Sequence, residues 1–473
     1  MPARAIRRSL AMATRRLPVL GIRDFRLLLA DRVLAPMSFA FSLVGVSFAV
    51  LSQTHGSTAK LSYVLAAQIA PSLIFVLVGG VIADRIAPQK VIIAGNALMA
   101  IGEGTFGILV LTGHPPLWRM IALEGLTGTG MALFYPASSA LLPRLVPAEL
   151  LQEANALSRL AMNAAQMGGA VLAGFCIAAI GTNGPGWALA ACGIGMLGTI
   201  PLMLALRVTA YERMHQTSMV RELRDGWSEF RSHTWLWVIV AQFAVVLMAW
   251  YGSFGVLGPV VARAHLGGPA AWGTITGAES LGLIVGGVIS LRFSPRRPML
   301  FVVLIGGSIA IAPLALAMLW PLPAVCTSSF LLGIAFEIMM VQWMLALARK
   351  IPPEKLARVS AYDALGSVMA MPIGAVVAGP IAAWAGVSAT QYGAAVLIVL
   401  VSVLALIPRD VRRMRAEDLA GPAAIVIPAE VVVPADVVTP AEVVTLSGPL
   451  PDELVGRPAD GFERGLVDAG RSS

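Results

Sequence analysis

Two short stretches decide the fold: GGVIADRIAPQK at residues 79–90 and GGVISLRFSPRR at residues 286–297. They agree at six of twelve positions and lie 286 − 79 = 207 residues apart. A second set of residues recurs at an offset of 352 − 147 = 205: Pro147, Glu149, Leu151, Gly169, Val171, Gly174 and Gly181 reappear as Pro352, Glu354, Leu356, Gly374, Val376, Gly379 and Gly386. The chain is therefore an internal duplication.

Apolar blocks of about 20 residues, the length of a helix that crosses a bilayer, make up most of both copies. Of the 473 residues, 57% are hydrophobic and 13% are charged, too few charges to cover a water-soluble exterior. Breaks at proline, glycine and charge clusters predict twelve spans, at 27–51, 61–83, 91–112, 117–141, 156–180, 187–206, 235–261, 271–291, 299–319, 323–347, 362–385 and 391–408.

The repeat offset corresponds to six of these spans. Because six is even, both copies cross the membrane in the same sense, about an axis along the membrane normal. We therefore predict an all-α polytopic membrane protein with twelve transmembrane helices in two parallel six-helix repeats. The predicted divisions are a basic N-terminus (1–26), a first half (27–206), a central loop (207–234), a second half (235–408) and a low-complexity tail (409–473).

Positive charge is confined mainly to alternate loops. A net charge of +8 and a pI near 9.9 could favour nucleic-acid binding, but the cations between spans are typical of membrane topology instead. The cation-rich loops contain Arg85 and Lys90, Arg144, Arg207 to Arg231, Arg292 to Arg297, Arg349 to Arg358, and Arg409 to Arg415. We expect these loops and both termini to be cytoplasmic, and the protein to be a monomer in the cell (inner) membrane that binds no nucleic acid.

A family resemblance rests on the loop after the second span. Gly80-Val-Ile-Ala-Asp84-Arg85, followed by Lys90, resembles the signature G-x-L-A-D-R-x-G-R-[RK] of the major facilitator superfamily. Residues 135–157, which include YPA and LQEANAL, and residues 24–28 (DFRLL) resemble the enterobactin-exporter-like group of that family. The resemblance covers about residues 24–408.

The resemblance implies a secondary active transporter that exports a drug, siderophore or secondary metabolite, with protons as the coupling ion. It also implies a cytoplasmic gating latch at Gly80, Asp84, Arg85 and Lys90. Leu291 replaces the aspartate in the second copy, so any latch is one-sided. The alternative is that these charges only orient the protein in the membrane.

The fourth and fifth spans depart from the family patterns. Residues 169–174 (GAVLAG) are similar to the antiporter signature G-P-x-x-G-G but lack its proline, and close packing explains their small residues equally well. We therefore assign Gly169 and Gly174, with their mates Gly374 and Gly379, to helix packing. Glu124 stands where many members carry arginine, which argues against coupling through an arginine in this span.

Charged residues inside spans usually serve transport, because each is costly in hydrocarbon. The candidates for proton or substrate coupling are Glu103, Glu337, Glu124, Glu279, Asp31 and Arg32. None of the four glutamates has a carboxylate at its mate in the other copy: the mates are Ala310, Ala132, Ser329 and Ser72. Glu103 and Glu337 are the preferred proton carriers. A neutral, hydrogen-bonded glutamic acid is the alternative for each, and an interfacial ion pair is preferred for Asp31 with Arg32.

Aromatic and amide side chains provide the candidate cavity lining, since apolar surfaces with a few polar groups suit a hydrophobic solute. The candidates are Tyr135, Gln166, Gln242, Tyr251, Phe336, Gln342 and Trp343. Lipid-facing positions are the alternative for the aromatic residues.

Other classes of protein find less support in the sequence. It contains no G-x-x-x-x-G-K-[ST] loop, no H-E-x-x-H and no G-x-S-x-G motif, so no ATP site, cofactor, metal site or enzyme activity is predicted. A metabolite importer or facilitator is the nearest alternative, because the fold does not set the direction of transport. A membrane sensor or scaffold that transports nothing is the alternative from another class.

Overall fold

The computed structural model describes residues 17–83, 87–207, 227–415 and 417, and the regular structure within these ranges is entirely helical. The long apolar segments form helices because hydrocarbon offers no partner for backbone N–H and C=O groups. The first half contains six of them: α1 (Arg23–Gln53), α2 (Thr58–Ala83), α3 (Pro88–Thr112), α4 (Leu117–Leu141), α5 (Leu151–Ile180) and α6 (Gly184–Leu204).

The second half repeats this arrangement. Its six helices are α7 (Thr234–Leu266), α8 (Pro269–Ser290), α9 (Pro298–Ala317), α10 (Leu322–Lys350), α11 (353–385) and α12 (Val387–Ala405). In the described residues, nine helical stretches are long and apolar enough to cross a membrane, and one of them, Ala148–Leu204, contains both α5 and α6. The predicted fold class, all-α with two six-helix repeats, is confirmed.

Three helices of the second half are interrupted, which the sequence interpretation missed. Helix α9 breaks between Ser308 and Ile311, and α11 breaks between Val368 and Met371. A proline follows each break: Pro313 in α9 and Pro372 in α11. Because proline has no N–H, the carbonyl four residues before it, on Ile309 or Val368, lacks its usual helical hydrogen bond. In α7, residues Tyr251–Val256 and Ala262–Leu266 form π-helix.

The two faces of the bundle differ in charge. We call the face that carries Lys90, Arg144, Arg207 and Arg292 the basic face, and the opposite one the distal face. Helix α1 runs from the basic to the distal face. Near the C-terminal end of α7, the guanidinium of Arg263 donates a hydrogen bond to the carbonyl of Leu51, near the C-terminal end of α1. Helix α7 therefore runs in the same direction as α1, as parallel repeats require.

The halves meet in a seam near the distal face, formed by Thr58 against Gly379 and by Gly174 against Gly273. Thr58 Oγ1 donates a hydrogen bond of 2.9 Å to the carbonyl of Gly379, and a Cβ on Gly174 would lie only 3.0 Å from the Cα of Gly273. Of the four glycines predicted for helix packing, Gly174 and Gly379 lie in this seam. Gly169 packs on Met37 of α1, and Gly374 packs on Met248 of α7.

Parts of the predicted loops lie outside the described residues, including the tail beyond residue 417 and Asp84 and Arg85. Of the predicted central loop at 207–234, residues 227–232 are described as a helical turn. Glu229 in this turn accepts a hydrogen bond of 2.7 Å from Lys355, which begins α11. That contact holds the pKa of Glu229 below its ordinary value.

Candidate functional site

A buried pair of carboxyl groups, Glu103 of α3 and Glu124 of α4, is the most unusual polar feature of the bundle. Both residues are 0% exposed, and the charge of one acts on the other. Counted from the distal ends at Thr112 and Leu117, they lie nine and seven residues deep, which is about 14 Å and about 11 Å along antiparallel helices.

Glycine brings the two helices together at this depth. A Cβ on Gly102 would lie 2.9 Å from the carbonyl oxygen of Leu123 and would overlap the hydroxyl of Thr127. Because Glu103 and Glu124 follow these contact residues directly, the close approach sets their carboxyl groups in one buried region.

Each carboxyl group has one short hydrogen bond. Ser42 Oγ of α1 donates to Glu103 Oε1 at 2.6 Å, and Gln68 Nε2 of α2 donates to Glu124 Oε2 at 2.8 Å. The remaining oxygens, Glu103 Oε2 and Glu124 Oε1, have no hydrogen-bond partner in the described part of the chain. Each carboxyl group therefore has one oxygen without a direct hydrogen bond, and the Thr127 hydroxyl is the further hydrogen-bonding group that acts on Glu103.

Further groups complete the surroundings of the pair, and none of them is a cation. The Cys192 thiol of α6 interacts with the charges of both glutamates, and the Tyr251 hydroxyl of α7 interacts with that of Glu124. Among the described residues, no lysine, arginine or histidine acts on either carboxyl group. Two ionised carboxylates in one buried region, away from water and cations, would be strongly unfavourable.

Glu337, the other preferred proton carrier, lies elsewhere and has a cation nearby. Its side chain rests on α8, where a Cβ on Gly287 would lie 3.9 Å from Glu337 Oε1. Arg159 of α5, in the other half, interacts with its charge. Glu337 therefore takes part in an electrostatic contact between the halves, whereas Glu103 and Glu124 form a pair within one half.

Asp31 and Arg32 act on each other electrostatically, but no direct hydrogen bond joins them as we expected of an ion pair. Consecutive residues of a helix point in different directions, and Arg32 instead donates to the carbonyl of Ser138 at 2.8 Å and contacts Met162 Sδ at 3.2 Å. Asp31 is 0% exposed, and in the described part of the chain neither of its carboxylate oxygens has a hydrogen-bond partner. The fourth glutamate, Glu279, is half-buried on α8 where that helix packs against Gly333.

The predicted latch is described only in part. Gly80 lies in the last turn of α2, and Lys90 is exposed in the first turn of α3. Asp84 and Arg85 lie outside the described residues, so the latch stays a prediction.

A cavity of about 60 Å³ opens between α1 and the helices α3 to α6 of the first half. Four methionines dominate its wall, and Gln166, one of the predicted lining residues, provides an amide. The lining residues are Ala35, Pro36, Phe39, Met99, Met131, Phe134, Met162, Gln166 and Met196. Methionine side chains adapt to irregular apolar shapes, so the wall suits a hydrophobic group.

Three predicted lining residues instead stabilise the second half. Gln242 Nε2 donates to Ser402 Oγ at 3.0 Å, Gln342 Nε2 donates to the Phe293 carbonyl at 2.9 Å, and Trp343 Nε1 donates to Asp363 Oδ2 at 2.9 Å. Of the other candidates, Phe336 stacks on Trp250 with ring centroids 6.5 Å apart. The Tyr135 side chain lies outside the described part of the structure.

Sequence reasoning missed Ser42, Thr127, Cys192 and Arg159. Ser42, Thr127 and Cys192 are small residues in apolar helices, where each alone is typical of packing. The signal for the pair was available: Glu103 and Glu124 flank one short loop at nearly equal depth, so antiparallel neighbours would bring them together.

Comparison with known proteins agrees with this architecture. Residues 33–281 and 270–448 match the Major Facilitator Superfamily. Structures with the same fold include an auto-inhibited POT family peptide transporter (TM-score 0.69, 11% identity, covering 85% of this chain and 99% of that one). Another is the nucleoside transporter NupG (TM-score 0.67, 10% identity, covering 83% and 100%).

Two relatives are more similar in sequence. Enterobactin exporter EntS of Shigella boydii serotype 18 is 25% identical over 398 residues, which cover 83% of this chain and 93% of that protein. Macrolide efflux protein A of Streptococcus pyogenes is 22% identical over 380 residues, covering 77% and 91%. The chain therefore belongs to the Major Facilitator Superfamily, and it is a secondary active transporter of the efflux type.

Proposed function

We propose that this transporter exports a hydrophobic drug, siderophore or secondary metabolite in exchange for protons, and that the pair Glu103 and Glu124 carries the proton. The observation behind this proposal is the burial of the pair without a cation. A group that must gain and lose a proton during transport cannot be held permanently ionised by a salt bridge.

The choice of the pair over Glu337 follows from their surroundings. Arg159 of the other half lies within electrostatic reach of Glu337, whereas no cation among the described residues acts on the pair. The pair instead has two free acceptor positions, at Glu103 Oε2 and Glu124 Oε1, where a shared proton would be accommodated.

The solute class is supported by the methionine-rich cavity and by the relatives, which are named for a macrolide and for enterobactin. At about 60 Å³ the cavity is much smaller than the roughly 300–1,000 Å³ of a pocket for a drug-sized ligand, so it would hold one apolar group of a larger solute. We place the rest of the solute between the halves.

The orientation follows from the loop cations. We propose that the basic face and both termini are cytoplasmic in the cell membrane, because positive loops stay inside. The seam then lies on the outer side, and export requires it to open. We expect the transporter to act as a monomer and to bind no nucleic acid, and we assign it no enzymatic activity.

Efflux from pump-deficient cells tests the proposal, with a panel of macrolides and fluorescent hydrophobic dyes. Cells with the wild type should accumulate less of at least one compound, and a protonophore should abolish this difference. Glu103→Gln and Glu124→Gln should lose efflux, while Glu149→Gln, a change in an exposed loop, serves as the matched control.

Three outcomes would contradict the proposal. Accumulation equal to that of cells without the protein would leave the sensor or scaffold alternative. Greater accumulation would indicate an importer or facilitator. Normal, protonophore-sensitive efflux by both glutamine variants would show that a group other than Glu103 and Glu124 carries the proton.

A further inference from the structure

Two arginines lie at the end of the methionine-rich cavity that is nearer the basic face, Arg32 on α1 and Arg159 on α5. Helix α1 contributes Ala35, Pro36 and Phe39 to the cavity wall. Residues three, four and seven apart share one face of a helix. Arg32 therefore lies on the face of α1 that lines the cavity, one turn closer to the basic face.

Arg159 has the same relation to the wall residues of α5. Gly169 packs on α1, and the carbonyl of Ala170 packs on α8 of the second half. At about 100° per residue, Met162, Gln166 and Arg159 lie about 20°, 60° and 80° from Gly169 towards Ala170. These three side chains therefore face between α1 and α8. Arg159 and Gln166 are exposed, so their exposed surface faces the opening between the halves and not lipid.

A direct contact joins the two helices at this point. Arg32 Nη1 lies 3.2 Å from Met162 Sδ, and Met162 follows Arg159 by one turn on the same face of α5. Arg159 also lies within electrostatic reach of Arg32. Both guanidinium groups therefore flank Met162, a residue of the cavity wall.

The protein uses the donors of Arg32 only in part. A guanidinium has five N–H donors. Nη2 donates to the Ser138 carbonyl at 2.8 Å, Nη1 contacts a thioether sulfur, which is a weak acceptor, and the buried Nε has no hydrogen-bond partner in the described part of the chain. No described carboxylate forms a salt bridge with Arg32. An ionised oxygen would accept a stronger hydrogen bond than the sulfur does.

We propose that Arg32 and Arg159 bind an acidic group of the solute while its apolar part enters the methionine-rich cavity. This inference rests on the proposed function and narrows the solute to hydrophobic compounds that carry a carboxylate or another ionised oxygen. Met162 has a flexible side chain, so the acidic oxygen replaces its sulfur as the acceptor for Arg32. The exposed Arg159 contacts the same group from the opening between the halves.

Two carboxyl groups of the protein share this region, Asp31 and Glu337. Asp31 lies about 100° around α1 from Arg32 and is 0% exposed, so it reduces the local positive charge without occupying the place of the solute. Glu337 belongs to the second half and acts on Arg159. An acidic solute group can therefore take the place of Glu337 at Arg159 when the halves move.

Binding of a matched pair of probes tests the proposal without a gradient and without transport. The probes are pyrenebutyrate and its neutral amide, pyrenebutyramide, which share one apolar body. Full-length protein in phosphatidylcholine nanodiscs is titrated with each probe, and empty nanodiscs give the background. The wild type should bind the carboxylate about 10- to 100-fold more tightly than the amide, because hydrogen bonds between charged groups are the stronger ones.

Variants of the two arginines should change the affinity for the carboxylate alone. Arg32→Gln and Arg159→Gln should each weaken carboxylate binding about 10-fold and leave amide binding within about 2-fold. Arg32→Lys keeps the charge but loses the planar fork, so it should restore only part of the affinity. Arg119→Gln, at an exposed arginine in the first turn of α4, is the matched control and should change neither affinity. Amide binding shows in each variant that the cavity is intact.

Three outcomes would overturn this inference alone: no binding of either probe, equal affinity of the wild type for both, or a carboxylate preference that survives when Arg32→Gln and Arg159→Gln are combined. Competition by phosphatidylglycerol added to the nanodiscs would show that the arginines hold a lipid headgroup instead. Because the assay needs no proton gradient, a carboxylate preference in a protein that fails the efflux assay would leave this site standing and remove the proposed export.

Discussion

The two halves share one backbone plan, yet they differ most where the first half holds its carboxyl pair. The repeat offsets place Ala310 opposite Glu103 (103 + 207) and Ser329 opposite Glu124 (124 + 205). Ala310 lies in the break of α9, and Ser329 is fully buried in α10. The duplicated scaffold therefore tolerates a carboxyl pair in one copy and does not need it in the other.

The packing that supports the pair differs in the same way. Gly102, which allows α3 and α4 to approach, has Ile309 as its mate (102 + 207). Glycine permits close contact at the pair, whereas isoleucine fills the equivalent place with a buried side chain that is 2% exposed. At these equivalent positions the first half therefore makes room for the carboxyl pair, whereas the second half is packed with an apolar side chain.

The largest expected effect comes from giving the first half the residues of the second. Glu103→Ala with Glu124→Ser should abolish efflux driven by a pH gradient in membrane vesicles, because both carboxyl groups proposed to carry the proton are removed. Exchange of solute down its own gradient should persist. Ser329→Ala is the control, and a double variant that still couples efflux to the pH gradient would remove the distinction between the halves.

A second change tests the packing difference. Gly102→Ile should lower the free energy of unfolding by about 1–3 kcal/mol or more, since its side chain would overlap Thr127 and Leu123. A truncation at the mate position, Ile309→Val, removes one methyl group and should cost only about 0.5–1.5 kcal/mol. Thermal unfolding in detergent measures the loss of stability in both variants. Equal losses for Gly102→Ile and Ile309→Val would contradict the proposed difference in packing between the two sites.

A third change tests the polar contacts of the second half. Trp343→Phe removes the donor to Asp363 and leaves a buried carboxyl group short of a partner, so it should cost about 1–3 kcal/mol of stability. Efflux per folded molecule and its protonophore sensitivity should not change. A loss of proton dependence in this variant would give the second half a part in coupling.

The smallest effect is expected at the basic face of the second half. Lys355→Met should return the pKa of Glu229 towards its ordinary value of 4.5, because the hydrogen bond from Lys355 is what chiefly lowers it. The stabilisation is present at neutral pH, is lost as pH falls through the lowered pKa of Glu229, and amounts to about 1 kcal/mol at most for an exposed pair. The wild type should be slightly more stable to unfolding than Lys355→Met at pH 7, and the two should be equally stable at pH 3.

The sequence predicts the helices well because a membrane span depends on local composition. Helix α4 spans 117–141 as expected, and α1 begins at Arg23, 27 − 23 = 4 residues earlier than predicted. The breaks in α9 and α11 were missed although Pro313 and Pro372 stand in the sequence, because Pro36 and Pro71 lie within helices α1 and α2 that remain continuous. Whether a proline interrupts a helix depends on what the neighbouring helices provide for the free carbonyl.

The sequence by itself determined that the chain is a duplicated twelve-helix bundle with a basic face, since hydrophobic length, repeat offset and loop charge are local properties. Only the tertiary structure decided which buried charges belong together. It brought Glu103, bonded to Ser42, and Glu124, bonded to Gln68, into one buried region, and it set Glu337 within electrostatic reach of Arg159. Contacts between helices far apart in sequence make these partners, and the surroundings that govern a proton's binding exist only once the bundle has assembled.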